Sequence, residues 1–140
     1  MNIKNLINFP KNFKDSRGVI QPLCDKIMKS ASLIFTKKNS WRANHYHKSD
    51  WHYIYVVYGK FNYYFRKTGS KRKPKKMIIK KNDILFTGPR IDHAMLYTEK
   101  TCILVLSKNP RDQKTYEKDT VRIDFMNNTN KFWKIKIFIF

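Results

Sequence analysis

The chain has 140 residues, 41% of them hydrophobic and 15% aromatic, enough apolar side chain for one domain's core and too much for a disordered segment. Its 30 Lys and Arg against 10 Asp and Glu give a formal charge of +20. No apolar run approaches the roughly 20 residues of a membrane helix, and residues 1–13 lack the features of a signal peptide. Cys24 and Cys102 lie far apart, so no disulfide framework is expected and a cytoplasmic setting is.

In chain order, Asp15-Ser16-Arg17-Gly18 is a turn signal before a short apolar stretch. Ser32–Thr36 is strand-like, Lys37–Ser40 is a polar connection and Trp41–His47 is mixed. His52–Tyr58 is rich in β-branched and aromatic residues, Gly59 ends it, and Phe61–Phe65 follows at once, which predicts a hairpin. Met77–Ile79, Ile84–Phe86, Ala94–Tyr97 and Thr101–Ser107 continue the series, with Cys102 expected in the core. Residues 108–120 are polar and read as loop. The tail, Trp133–Phe140, is too apolar to be left bare and reads as a strand packed on the domain or on a second subunit. No long stretch carries a 3.6-residue apolar period. Short strands at this spacing predict an all-β sandwich or barrel in a single domain, 1–140.

The charge is mostly lysine, 23 Lys against 7 Arg, beside 15 Ile, 12 Asn and 3 Ala. Lys, Ile and Asn have A/T-rich codons, so genome bias accounts for much of it. Arg is the residue of bidentate base and phosphate recognition. The densest run, Lys71-Arg72-Lys73-Pro74-Lys75-Lys76 with Lys80 and Lys81, reads as an exposed hairpin loop, not as a nucleic-acid surface.

The four histidines carry the functional signal: His45, His47, His52 and His93. Alternation along a strand puts His45 and His47 on one face and Arg42 on the other. His52 opens the next strand, within reach of a shared ion. The competing reading for each is an ordinary hydrogen-bonded strand histidine. Asp92 beside His93 reads as a solvent-facing turn residue or as a carboxylate orienting the imidazole. The aromatics Tyr53, Tyr55, Tyr63 and Phe65 read as core and wall.

The histidine spacing resembles the cupins, small jelly-roll barrels. Their first motif, G-x5-H-x-H-x3/4-E-x6-G, is matched over residues 39–59 by His45-x-His47, His52 and Gly59, with Asn39 for the leading Gly and His52 for Glu. Their second, G-x5-P-x-G-x2-H-x3-N, is matched over 82–97 by Asn82, Gly88-Pro89-Arg90 and His93, with Tyr97 for the final Asn. The resemblance implies a jelly-roll barrel (a double-stranded β-helix) and metal ligands at His45, His47, His52 and His93. The ion would be a divalent transition metal (Zn, Fe, Ni or Mn), because neutral nitrogen donors disfavour Ca and Mg.

A narrower resemblance rests on Asp15-Ser16-Arg17-Gly18 with Arg42-Ala43-Asn44-His45-Tyr46-His47. It is to the sugar-nucleotide cupins: dTDP-4-keto-6-deoxyhexose 3,5-epimerases, 3,4-ketoisomerases and capsule-synthesis cupin domains. It implies an isomerase or epimerase acting on a nucleotide-linked keto-sugar in polysaccharide biosynthesis. Arg17 would bind the diphosphate, Tyr97 would touch substrate, and His45 and His47 would carry the proton transfers. A homodimer is implied as well. The ketoisomerases work without metal, whereas His52 places this chain nearer the metal-binding members, so both mechanisms stand. Two other readings remain open: a metal-dependent oxygenase or lyase on another small molecule, and a non-catalytic small-molecule-binding cupin.

Overall fold

Alternating and β-branched runs become strands throughout the computed structural model, which describes residues 3–4 and 11–126. In order these are β1 (Ile3–Lys4), β2 (Phe13–Asp15), β3 (Gly18–Ile20), β4 (Ser30–Thr36), β5 (Ser40–His47), β6 (His52–Tyr58), β7 (Lys60–Lys67), β8 (Lys75–Lys80), β9 (Ile84–Thr87), β10 (Ile91–Tyr97), β11 (Thr101–Ser107), helix α1 (Gln113–Asp119) and β12 (Thr120–Arg122). One five-stranded sheet has the order β1-β9-β6-β11-β4 and the other β12-β5-β10-β7-β8, while β2 and β3 form a separate hairpin. The two sheets form the expected all-β jelly roll. Their inward faces build the core from Ile54, Val56, Phe61, Tyr63, Ile79, Leu85, Met95, Tyr97, Ile103 and Val105. Cys102 is buried and unpaired.

Turn chemistry explains where the chain departs from the family's glycines. Gly59 keeps φ at +93°. Asn39 and Asn82, which stand where the motifs have Gly, take φ of 66° and 69°. Asn tolerates this left-handed region better than other side chains do. Arg90, at the second motif's inner Gly position, has φ of 55°, and its amide donates to the His47 carbonyl at 2.8 Å.

The structure refines the strand and loop boundaries. Residues 113–119, read as loop, form α1, which starts where the Asp112 carboxylate accepts from the Thr115 amide at 3.0 Å. The mixed stretch 41–47 lies wholly within β5. Of the basic run, Lys71–Lys73 are exposed loop as expected, but Lys75 and Lys76 already belong to β8. Tyr53 and Tyr63 are buried, whereas Tyr55 turns outward and donates its hydroxyl to Asn82 Oδ1 at 2.8 Å. The tail 133–140 lies outside the described residues. No described helix is long and apolar enough to cross a membrane.

Candidate active site

β5, β6 and β10 deliver the four histidines to one end of the barrel. His45 faces His93 across the β5–β10 ladder, and His47 sits two residues along β5. All four are buried, His47 to 1% exposure. Ring centroids lie 4.6 Å apart for His45 and His47, 4.8 Å for His45 and His93, and 4.6 Å for His47 and His52. His45, His47 and His93 offer ligand atoms within 4.8 Å of one another; His52 belongs instead to a second group with His47 and Asp50. The structure therefore brings all four rings to one cavity, three of them in a single ligand group and His52 against His47.

Each ring has a distinct bonding state. His93 Nδ1 is 2.8 Å from the Ile91 carbonyl, which can only accept, so its proton is on Nδ1 and its Nε2 carries the lone pair. His47 and His52 meet Nε2 to Nε2 at 3.0 Å. His52 Nδ1 lies 2.5 Å from Ser107 Oγ, and His47 Nδ1 lies 3.3 Å from Thr120 Oγ1. His45 makes no hydrogen bond among the described residues, so its lone pair is uncommitted.

The histidines line a cavity of about 300 Å³ together with Arg42, Arg111, Tyr116, Arg122 and Tyr97. Arg42 was expected outside the barrel by simple alternation. The structure corrects this: the register shifts between His93 and Ala94, and Ala43 and Asn44 take φ of 68° and 57°. This β-bulge inserts one residue, so Arg42 and His45 share the inner side. Tyr97 is on the cavity wall but fully buried, with its hydroxyl 3.7 Å from Met95 Sδ. Arg17 is not brought to this cavity. It lies in the β2–β3 turn, largely exposed, with its Nη2 2.6 Å from Asp15 Oδ2. Asp92 is neither solvent-facing nor bonded to an imidazole: it is buried and accepts from Arg66 Nε at 3.2 Å and Thr68 Oγ1 at 2.8 Å.

No family model and no curated protein matches the sequence. Solved structures do. A double mutant of the 3,4-ketoisomerase QdtA from Thermoanaerobacterium thermosaccharolyticum, in complex with TDP, is 25% identical over 81% of this chain and 83% of its own, with a TM-score of 0.63. A 3,4-ketoisomerase from Helicobacter canadensis is 21% identical over 81% and 86%, TM-score 0.64. A dTDP-4-dehydrorhamnose 3,5-epimerase from Sulfolobus tokodaii is 16% identical over 82% and 74%, TM-score 0.59. The chain has the fold of the RmlC-like cupins.

Within this barrel, electrostatics keeps the imidazoles neutral. Burial pushes His47 down to about 4, with His93 adding to the effect and Asp119 opposing it. Burial likewise lowers His93 to about 4 against the Ile91 carbonyl and Asp92. His45 and His52 are held well below the ordinary imidazole range, first by burial and then by the neighbouring histidines. A neutral imidazole has a lone pair for a proton or an ion.

The sequence does not announce Arg111, Tyr116 and Arg122, which reach the cavity from the segment before α1, from α1 and from β12. Arg111 stacks on Tyr116 at 3.7 Å from its ring centroid and makes no ion pair among the described residues. Arg122 is held by Glu117 through bonds of 2.7 and 2.8 Å. Arg42 donates to Thr36 Oγ1 at 2.7 Å and to the Phe35 carbonyl at 3.2 Å. The one available signal was Asp112, a residue type that caps helix N-termini but is too common to stand out alone.

Proposed function

We propose that this cupin is an isomerase of the ketoisomerase or epimerase type, acting on a nucleotide-linked keto-sugar destined for polysaccharide. The observation that carries the reading is the convergence of neutral, buried histidines at a cavity that three arginines also line. A nucleotide sugar has the two matching features: a diphosphate for guanidinium groups and acidic C–H bonds beside a ketone.

The chemistry is proton transfer. The lone pair of His45 removes the proton next to the carbonyl, and the C–H electrons move into an enediolate whose charge sits on oxygen. Return of a proton to the neighbouring carbon, with the hydroxyl proton passing between the two oxygens, exchanges ketone and alcohol. Return to the same carbon from the other face gives the epimer. Arg42, Arg111 and Arg122 supply positive charge to the diphosphate, and Arg111, stacked on Tyr116, is tied up in no ion pair among the described residues. Arg17 would join such a site only from another copy of the chain or after a movement of its hairpin. A homodimer is part of the proposal, supported by exposed Leu33 and Phe35 on edge strand β4.

The donor chemistry also fits a divalent transition metal. His45, His47 and His93 would hold it, with His47, Asp50 and His52 as the other candidate set, and a bound ion would act as a Lewis acid on the substrate's carbonyl. Elemental analysis of protein purified without an affinity tag checks this, with one equivalent of metal expected if the site is loaded.

The functional test is incubation with dTDP-4-keto-6-deoxyglucose in D2O. Conversion with deuterium appearing beside the carbonyl is expected. Absence of turnover, with no thermal shift from any nucleotide sugar, rejects the reading.

A further inference from the structure

The contacts around His47 and His52 have a direction that fixes where their protons sit. Thr120 Oγ1 gives its only proton to the Tyr116 carbonyl at 2.7 Å, so toward His47 Nδ1 it can only accept, and that nitrogen bears a proton. Asp119 Oδ2, 3.8 Å from the same nitrogen, favours the same placement. Asp119 is kept anionic: burial opposes its charge, but bonds from Ser49 and the Asp50 amide outweigh that. With its proton on Nδ1, His47 has a bare Nε2. His52 must then donate from Nε2 across the 3.0 Å contact, and the Asp50 carboxylate, 3.8 Å from that nitrogen, again matches. His52 Nδ1 is left bare and accepts the Ser107 hydroxyl at 2.5 Å.

We propose that Ser107, His52, His47 and Thr120 form a one-way hydrogen-bond chain in which His52 and Ser107 are positioning residues that lock the tautomer and ring orientation of His47. The proposal rests on the isomerase reading for its catalytic consequence and on geometry alone for the chain. The consequence is a division of labour. Without a metal ion, His47 has both nitrogens engaged, so it forms the rigid back wall. His45 has an uncommitted lone pair and His93 a bare Nε2, and these two exchange protons with the substrate. The His52 substitution for the family's carboxylate supplies an N–H where a carboxylate could only accept.

The test is long-range proton–nitrogen NMR on the full chain with 15N-labelled histidine at pH 8. Expected are His52 protonated at Nε2 and His47 protonated at Nδ1, with the other nitrogen of each bare. The reverse order, or a metal ion on His47 Nε2, overturns the chain. Ser107→Ala removes the donor to His52 Nδ1. It should give His52 a mixture of tautomers and lower kcat about tenfold with KM unchanged, as expected of lost positioning, and Ser107→Thr should restore both. A Ser107→Ala protein with wild-type spectrum and wild-type kcat also overturns it. If the wild-type protein turns over no nucleotide keto-sugar, the isomerase reading fails, while the spectrum still decides the chain.

Discussion

His45 and Arg111 are the two cavity residues with least to do inside the protein, which marks them for work on a ligand. His45 makes no hydrogen bond among the described residues, although it is 7% exposed and surrounded by other rings. His45→Asn should therefore cost little stability and lower kcat by roughly 10²–10⁴, the usual worth of a positioned acid–base group, with KM less affected; steady-state kinetics on the nucleotide keto-sugar checks it. Arg111 is exposed and stacked on Tyr116, and it makes no ion pair among the described residues. Arg111→Ala should weaken dTDP binding by about tenfold or more, the worth of a charge-assisted hydrogen bond, and affect kcat less. Calorimetric titration measures the difference, and the gap between the two proteins should narrow with added salt. Arg42 is a poorer probe, since its bonds to Thr36 and Phe35 tie β4 to β5 and its removal would loosen the barrel rim.

Strands and turns set these side chains in place, and the β6–β7 connection is the least tolerant of change. An added Cβ on Gly59 would collide with Thr101 Oγ1 and with the backbone of Lys100 and Thr101, at a φ of +93° that disfavours any side chain. Gly59→Ala should lower unfolding free energy by roughly 3 kcal/mol from strain and overlap together, measured by urea denaturation. On edge strand β4, Leu33 and Phe35 are 58% and 60% exposed on the outer face. The double variant Leu33→Asp, Phe35→Asp should turn a homodimer into monomer on light scattering while leaving the core intact. Much of this was legible in advance. The strand at 52–58 and the hairpin after Gly59 announce themselves by β-branched residues and a turn glycine. The His45-x-His47 spacing announces the site. What was not legible depends on partners far along the chain. The bulge at Ala43–Asn44 arises from pairing with β10, so alternation alone misplaced Arg42. Helix α1 is seven residues long and has no buried residue, so it carries no apolar period. Asp92 was misread because its partners, Arg66 and Thr68, lie on and just after a neighbouring strand.

Gathering four imidazoles in a strongly basic protein makes the stability of the whole molecule depend on pH. His47 and His93 ionise near 4 when folded and near 6.5 when exposed. Between those values the unfolded chain binds more protons, so acid favours unfolding. The contribution is fully present above pH 6.5 and is lost as pH falls toward 4. At 1.36 kcal/mol per unit, the shift amounts to on the order of 3 kcal/mol for each of the two, against a total of about 5–15 kcal/mol for a domain. His45 and His52 shift the same way. New positive charge also adds to a formal +20, so self-repulsion acts in the same direction and is the part that salt relieves. The urea midpoint should therefore fall steeply from pH 8 to pH 5, with unfolding near the lower end. His93→Gln removes one of the titrating rings, so it should flatten the slope between pH 6.5 and 5 even where it lowers stability at pH 8. Added KCl should raise the midpoint at pH 5 without abolishing the slope, because screening reaches the surface charge but not the buried rings. A midpoint that is flat across this range would mean that the rings are hydrated and protonate freely, which the packed cluster at the barrel's end does not allow.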